Sequence, residues 1–183
     1  MAGRVQKIVN AMPTQYSIEA AAAGHVKAIP AIEQAAATVF PEADLPGELR
    51  FLVTDYADIA AAQQAGRLWV ALKLDRQPVG FAIADIVDGN AHLDELGVHP
   101  AHSRRGLGTG LLQTVIEWAR EEKHARLSLI TFQHLPWNAP FYAINGFLPL
   151  ADADIGPEMR MLLTEEEHTG LNIDNRVVMR IDL

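Results

Sequence analysis

A loop with three glycines at alternate positions is the feature of this sequence that points most directly to chemistry. Gly106, Gly108 and Gly110 lie between a strand-like segment and an apolar pattern typical of a helix. Backbone N–H groups at such a strand–loop–helix junction converge on an anion, and nearby arginines add positive charge. The loop therefore predicts a site for a phosphorylated cofactor. The predicted binding residues are Arg104, Arg105, Gly106, Leu107, Gly108, Thr109 and Gly110.

Two common phosphate-binding loops do not fit this spacing. A Walker loop continues from its last glycine with Lys and then Ser or Thr, whereas Leu111 and Leu112 follow Gly110 here. A dinucleotide-binding loop has two residues between its second and third glycines, whereas Thr109 alone separates Gly108 from Gly110. A glycine-rich turn that only lets a helix pack closely is the structural alternative.

A second segment, Trp137–Phe147, predicts a short helix with a polar start. Asn138 is a favourable N-cap, and Pro140 suits the first turn of a helix. Asn145–Gly146 is typical of a helix C-terminus. Tyr142 lies inside this helix, where it is either an ordinary core aromatic or a hydroxyl group available for chemistry.

These two segments, in this order, resemble the landmarks of the GNAT superfamily of acyl-CoA-dependent N-acetyltransferases. Ser103–Gly108 resembles the family's pyrophosphate loop, in which Gln or Arg, two residues, Gly, any residue and Gly or Ala follow one another. Ser103 replaces the usual Gln or Arg, but an amide cradle depends on the backbone. Trp137–Phe147 resembles the family's Asn, Tyr and Gly-Phe landmark. The resemblance extends from about Arg67 to Leu150.

The resemblance implies acetyl-CoA as the co-substrate and a defined place for it. In the family, two parallel strands splay apart after the pyrophosphate loop, and the pantetheine arm pairs with the exposed edge as an added strand would. That edge corresponds to Leu96, Gly97 and Val98 here. Asn138 corresponds to a residue that contacts pantetheine or caps the helix. Tyr142 corresponds to the tyrosine beside the cofactor sulfur, which protonates the leaving thiolate.

Acetyl transfer to an amine also needs a base, because an alkyl ammonium has a reference pKa of about 10.4. The candidates are His92, Asp94 and Glu95, on the strand beside the predicted cleft. Strand alternation places His92 and Asp94 on one face and Glu95 on the other, unless a bulge near Gly97 shifts the phase. We prefer Glu95, because its Glu-Leu-x-Val pattern resembles many family members. Asp94, His92 and bulk water remain alternatives.

The predicted reaction is direct transfer of an acetyl group to a primary amine of a small molecule or peptide. The chain has no cysteine, which excludes a cysteine-linked intermediate. Two other functions stay open. A non-catalytic acyl-CoA-binding or sensing module would keep the glycine loop without consuming amines, and a protein-modifying acetyltransferase would differ only in its acceptor groove.

Composition narrows the partners. The chain has 183 residues, 49% of them hydrophobic and 21% charged, and a net charge of −8. Because an acidic surface repels phosphate backbones, we expect no nucleic-acid partner. No apolar run is long enough to span a membrane. The seven histidines show no metal-binding spacing with a third ligand, so we expect no metal.

We expect one domain over residues 16–183, after a loose N-terminal extension over residues 1–15. The extension lacks the apolar core of a signal peptide, so we expect a cytoplasmic location. The oligomeric state stays open, with a homodimer among the alternatives.

Hydrophobic periodicity predicts an α/β (α+β) fold with a mixed sheet of about six to seven strands flanked by helices. The strands ending at Val98 and Phe132 should be parallel, because a helix connects them. The segment Ile155–His168 is ambiguous. The predicted strands are Tyr16–Ala20, Arg67–Leu72, Val79–Val87, Ala91–Val98, Arg126–Phe132, Phe147–Leu150 and Arg176–Asp182. The predicted helices are Gly24–Phe40, one capped by Thr54 or Asp55 that runs to Ala65, and Arg105–Lys123.

Overall fold

The computed structural model describes residues 15–183, so all but the last residue of the predicted extension, 1–15, lies outside the described part of the chain. The strands are β1 Tyr16–Ala20, β2 Leu68–Lys73, β3 Pro78–Val87, β4 Asn90–Val98, β5 Arg126–Phe132, β6 Leu148–Pro149 and β7 Arg176–Asp182. The α-helices are α1 Ile29–Ala37, α2 Tyr56–Gln64, α3 Leu107–Glu121, α4 Ala139–Ile144 and α5 Pro157–Thr169. Short 3-10 turns span Ala23–Ala28, Leu49–Phe51, Pro100–His102, Asp152–Asp154 and Ile173–Asn175.

The strands form one mixed sheet in the order β1-β2-β3-β4-β5-β7-β6. β4 and β5 are parallel, and the other neighbouring pairs are antiparallel. A parallel pair needs a long crossover connection, and α3 supplies it. The predicted α/β fold and the parallel pair are confirmed. Among residues 15–183, no helix has the length and apolar composition needed to cross a bilayer.

The first predicted helix, Gly24–Phe40, is wrong in extent. A 3-10 turn occupies Ala23–Ala28, and α1 occupies Ile29–Ala37. Pro30 lies in the first turn of α1, where a missing N–H leaves no helical hydrogen bond unmade. The proline therefore marks the beginning of the α-helix rather than its middle.

The ambiguous segment Ile155–His168 forms helix α5. Its first turn docks on the turn between β3 and β4 through one carboxylate. Asp88 accepts hydrogen bonds from the N–H groups of Glu158 and Met159 at 3.0 and 3.2 Å. A carboxylate at a helix N-terminus satisfies N–H groups that have no intrahelical acceptor. The turn thus anchors α5 across the sheet.

The core has one part on each face of the sheet. On one face, α3 buries the apolar side chains Leu107, Leu111, Leu112, Val115, Ile116 and Ala119. On the other face, α1 and α2 bury Ile29, Ile32 and Ile59 against Phe81 and Ile83 of β3. Each face removes a continuous apolar surface from water, which is the main favourable contribution to folding. The two parts hold β3 and β4 firmly between them.

The parallel strands β4 and β5 separate halfway along their length. Their pairing ends at Leu93↔Leu129, whereas β4 stays paired with β3 to Val98 and β5 stays paired with β7 to Phe132. A bulge lies at the same point, since Leu93 pairs with Ala84 and Glu95 with Ile83, leaving Asp94 without a partner. The phase-shifting bulge that the sequence analysis allowed for near Gly97 therefore lies at Asp94, three residues earlier.

Candidate functional site

The glycine loop ends in a tightly bent backbone that starts α3. Arg104 and Gly106 have positive φ angles of 58° and 79°, so the helix begins at Leu107 rather than at the predicted Arg105. The N–H of Gly110 donates to the carbonyl of Gly106 at 2.9 Å and makes the first intrahelical bond. The preceding N–H groups have no intrahelical acceptor and carry the positive end of the helix dipole. The loop can therefore bind an anion.

Gly106 and Gly108 of the bend are glycines for different physical reasons. Gly106 is required by its positive φ angle, which L side chains rarely adopt. Gly108 is not required by packing, because a Cβ there would lie 3.8 Å from Leu96 and Phe141, an ordinary contact distance. A bare backbone at Gly108 leaves space above the loop for a ligand. Arg104, Arg105 and Thr109 are exposed beside it.

Two residues that the sequence did not single out hold this loop against β1. The Tyr16 hydroxyl hydrogen-bonds Nδ1 of His102 at 2.8 Å, and the guanidinium carbon of Arg105 lies 6.0 Å from the centre of the Tyr16 ring. Tyr16 is nearly buried and belongs to the first strand. The position of the basic loop is thus fixed by a residue some ninety positions earlier in the chain.

Beyond Leu93, β4 presents a strand edge to the opening. The N–H of His99 donates to the carbonyl of Val79 at 2.8 Å. Antiparallel alternation then directs the backbone groups of Leu96 and Val98 away from β3 and toward the opening. Gly97 lies between them, and a Cβ there would come within 2.7 Å of the Phe81 ring, so packing alone demands this glycine.

A cavity of about 440 Å³ opens where β4 and β5 separate. It brings together predicted residues of β4 and of the Trp137–Phe147 landmark, whereas the loop residues 104–110 lie outside it. Its walls also come from α1, from the segment that follows α1, from α5 and from β7. The predicted site residues that line it are Glu95, Leu96, Asn138 and Tyr142, together with the alternative bases His92 and Asp94.

Glu95 owes its place in the cavity to the bulge. With Asp94 unpaired, Glu95 lies opposite Ile83 and shares the α1 face of the sheet with His92, instead of facing away from it as unbroken alternation requires. Burial raises the pKa of Glu95 to about 8, and the negative charges of Glu33 and Asp94 contribute. No hydrogen bond from the described residues stabilises its carboxylate.

Tyr142 lies on α4, deep in the same cavity, and is 8% exposed. Its ring packs between Phe141 and Phe147, with centroid distances of 5.1 and 5.8 Å. Burial, with the charge of Glu95, raises the pKa of the hydroxyl above its ordinary value. The hydroxyl therefore stays protonated and able to donate across the neutral pH range.

Asn138 occupies the N-cap position of α4, but the predicted side-chain cap is wrong. Its Nδ2 donates to Thr131 Oγ1 on β5 at 2.8 Å, which turns the amide away from the helix. Its Oδ1 is buried with no hydrogen-bond partner among the described residues. A buried acceptor without a partner is costly, so this atom has the capacity to accept a hydrogen bond from a ligand.

The alternative bases differ from Glu95 in basicity. His92 is buried and hydrogen-bonded through Nδ1 to Ser128 Oγ at 3.0 Å, and burial lowers its pKa to about 4. Burial, then the charges of Asp85 and Asp58, raise the pKa of Asp94 to about 6. A base whose pKa is closest to that of an ammonium accepts its proton most readily, which favours Glu95.

Glu33 and Arg176 are charged residues of the cavity that escaped the sequence analysis, as did Glu165 and Glu166 of α5. Glu33 of α1 accepts hydrogen bonds from the Thr54 N–H at 3.0 Å and from its hydroxyl at 3.2 Å, and burial raises the pKa of Glu33. Arg176 of β7 donates from Nε to Glu166 at 2.8 Å, with its guanidinium carbon 4.4 Å from the centre of the Phe132 ring. Neither belongs to a motif, so only the folded topology reveals them.

Comparisons with known proteins show which family and which solved structures this chain resembles. A model of the acetyltransferase (GNAT) family matches residues 29–147. N-acetylglutamate synthase from Neisseria gonorrhoeae, complexed with coenzyme A and N-acetyl-glutamate, superposes with a TM-score of 0.68 at 19% identity, covering 92% of this chain and 35% of that chain. A GNAT-family acetyltransferase from Staphylococcus aureus superposes with a TM-score of 0.67 at 16% identity, covering 92% and 99%.

A ribosomal-protein alanine N-acetyltransferase from Escherichia coli also superposes, with a TM-score of 0.63 at 20% identity and coverage of 91% of this chain and 93% of that chain. At such identities the superpositions show a shared fold. Among the described residues, no group of His, Asp and Glu side chains is arranged to hold a metal ion.

Proposed function

Because this chain belongs to the acetyltransferase (GNAT) family, we propose that it transfers an acetyl group from acetyl-CoA to a primary amine by direct attack. One observation carries the proposal. A carboxylate of raised pKa, Glu95, and a protonated hydroxyl, Tyr142, line one cavity at the point where β4 and β5 separate. This pair can accept a proton from an ammonium and donate one to a thiolate.

We assign acetyl-CoA to the groove that runs from the glycine loop to the cavity. The free N–H groups at the start of α3, with Arg104 and Arg105, would hold the pyrophosphate. The backbone of Leu96 and Val98 would pair with the pantetheine amides. Asn138 Oδ1, which lacks a partner, would accept from a pantetheine N–H. Gly97 lies between Leu96 and Val98, and the Phe81 ring leaves no space for a side chain there.

Glu95 is the proposed base. An ordinary glutamate has a pKa about six units below that of an alkyl ammonium, so proton transfer to it is very unfavourable. Burial brings the pKa of Glu95 to about 8, which lowers this gap by more than three units. The proton then moves from the ammonium to the carboxylate directly or through one water, at a cost smaller by about three orders of magnitude.

Tyr142 is the proposed acid. When the amine attacks, the carbon–sulfur bond breaks and negative charge develops on sulfur. A buried hydroxyl with a raised pKa donates a hydrogen bond or a proton to that sulfur, and nothing in the described residues competes for it. The rigid packing of its ring between Phe141 and Phe147 fixes the direction of donation.

The fold does not choose the acceptor, because similar folds occur in an N-acetylglutamate synthase and in a ribosomal-protein acetyltransferase. A small molecule and a peptide both remain candidates. A non-catalytic acyl-CoA-binding module is the alternative from another class. The unpaired Glu95 carboxylate argues against it, since a pure binding site has no use for a costly buried acid.

The decisive experiment measures thiol release from acetyl-CoA across a panel of amines and peptides, with acetylated products identified by mass spectrometry. We expect turnover by the native chain and loss of turnover, with acetyl-CoA binding retained in calorimetry, in the Glu95→Gln/Tyr142→Phe double variant. Binding of acetyl-CoA without acetylation of any acceptor would favour the binding module. Absence of binding would reject the proposal as a whole.

A further inference from the structure

The cavity has two unlike walls, and they restrict the acceptor. One wall is apolar and is built by α1 and the segment that follows it. Its lining side chains are Ala36, Ala37, Phe40, Leu45, Leu49 and Leu52. An apolar wall of this extent stabilises a hydrocarbon or aromatic body by removing it from water. A cavity of about 440 Å³ suits a body of small-molecule size.

Another part of the cavity lining is acidic. It comprises Asp94 and Glu95 of β4, Glu165 and Glu166 of α5, and Glu33 of α1. The field at Glu95 is negative, because the charges of Glu33 and Asp94 raise the pKa of its carboxyl group. A negative field of this kind attracts an ammonium and repels a carboxylate.

The positively charged side chain that lines the cavity is already paired with a carboxylate. Among the described residues that line the cavity, Arg176 is the one arginine or lysine. Its Nε donates to Glu166, and its guanidinium lies over the Phe132 ring. It is only 10% exposed. An acceptor carboxylate would have to break this ion pair before it found a positive partner.

We infer that the acceptor is a small primary amine with an apolar body and no carboxylate, rather than an amino acid. The inference rests on the proposed function and narrows it. The ammonium lies beside Glu95, and the apolar body lies against Phe40 and the leucines. Glu95 accepts one proton of the ammonium, the nitrogen–carbon bond forms as the carbon–sulfur bond breaks, and the second proton from nitrogen replaces the one that Tyr142 gives to the thiolate, so that coenzyme A leaves as the thiol and atoms and charges balance.

Matched pairs of amines test this inference. Phenethylamine is compared with phenylalanine, and hexylamine with ε-aminocaproate, by measuring kcat/KM with saturating acetyl-CoA. We expect the carboxylate to lower kcat/KM at least about a hundredfold in both pairs, because like charges in a cleft repel strongly. We expect methylamine, which has almost no apolar body, to have a lower kcat/KM than hexylamine.

Equal or higher kcat/KM for the carboxylated partners would overturn the inference while leaving amine acetylation intact. A chain that binds acetyl-CoA and acetylates no amine would instead defeat the proposed function.

A charge reversal in the acidic wall gives a matched control. Glu165 lines the cavity, and Glu167, two positions along α5, is exposed outside it. Glu165→Lys should narrow the preference for hexylamine over ε-aminocaproate about tenfold or more, whereas Glu167→Lys should leave the ratio unchanged. An equal change in both variants, or no change in Glu165→Lys, would contradict the electrostatic basis of the inference.

Discussion

Glu33 of α1 and Glu95 of β4 line the same cavity, and the negative charge of Glu33 raises the pKa of Glu95. Thr54 holds Glu33 in place through its N–H and its hydroxyl. A carboxylate that belongs to neither motif thus raises the pKa of the proposed base. Replacing that charge is the most direct test of the coupling.

Glu33→Gln should lower the pH at which activity rises. The amide removes a negative charge near Glu95, so Glu95 loses its proton at a lower pH. The midpoint of the basic rise in kcat/KM, measured from pH 5 to 10, should move down from its native position near 8. Glu167→Gln, outside the cavity, serves as the control and should leave the midpoint in place. An unmoved midpoint in Glu33→Gln would mean that the two carboxylates are not coupled.

Glu95→Gln should lose the pH dependence together with the activity. Glutamine keeps the size of the side chain but cannot accept the proton from the ammonium. General bases contribute about a hundredfold or more, so we expect kcat to fall by at least that factor and the rise near pH 8 to disappear. Near-native activity with a native profile would transfer the role to Asp94, to His92 or to bulk water.

The same substitution should stabilise the folded chain at high pH. The folded pKa of Glu95, about 8, lies above the ordinary value of 4.5, so the native state binds the extra proton between these values. Stability from this group is therefore complete below about 4.5 and is lost as the pH rises toward 8. Above pH 8, Glu95→Gln should gain about 2 kcal/mol over the native chain, after allowance for partial solvent access. Urea unfolding at pH 5 and pH 9 measures the difference. A loss of stability at both pH values would reveal a structural role for the carboxylate.

Tyr142→Phe should lower the rate of acetyl transfer without weakening cofactor binding. The ring and its contacts with Phe141 and Phe147 are kept, and only the donor is removed. We expect a loss of about tenfold to a hundredfold in kcat, from single-turnover kinetics, with little change in acetyl-CoA affinity. A native single-turnover rate would remove Tyr142 from the role of acid.

Gly108→Val should block acetyl-CoA while leaving the fold unchanged. Its backbone has no positive φ angle, and packing leaves space for a Cβ, so stability should change little. A branched side chain above the N–H groups of α3 would then exclude the pyrophosphate, and calorimetry should show at least a hundredfold weaker binding. Gly24→Val is the matched control, because its Cβ meets nothing within 4 Å and lies far from the loop in sequence. Native affinity in Gly108→Val would move the cofactor elsewhere.

Local signals in the sequence were sufficient for much of this fold. Alternating apolar residues predicted Arg126–Phe132 and Arg176–Asp182 at their observed limits, because both strands pair along their full length. The start of α3 differed by two residues, since the backbone at Arg104 and Gly106 is left-handed. That conformation depends on the folded loop and not on helix propensity.

The site was less accessible to sequence reasoning where it depends on distant contacts. The residues of both landmarks could be named in advance, and their chemical roles stay predictions. The bulge at Asp94 could not be located, because it arises from the register between β3 and β4 and carries no glycine or proline signal. Glu33 and Arg176 enter the cavity only through the packing of α1 and β7 around it.

The extra residue at Asp94 also decides which side chain of β4 faces the cavity. If Asp94 paired with Ile83 and the bulge were lost with no change of sequence, Glu95 would turn toward α3 and Asp94 would take its place. Aligning this strand with an unbulged relative without a gap at Asp94 therefore equates side chains that lie on opposite faces of the sheet. Substrate predictions transferred between relatives should be made by counting from this bulge.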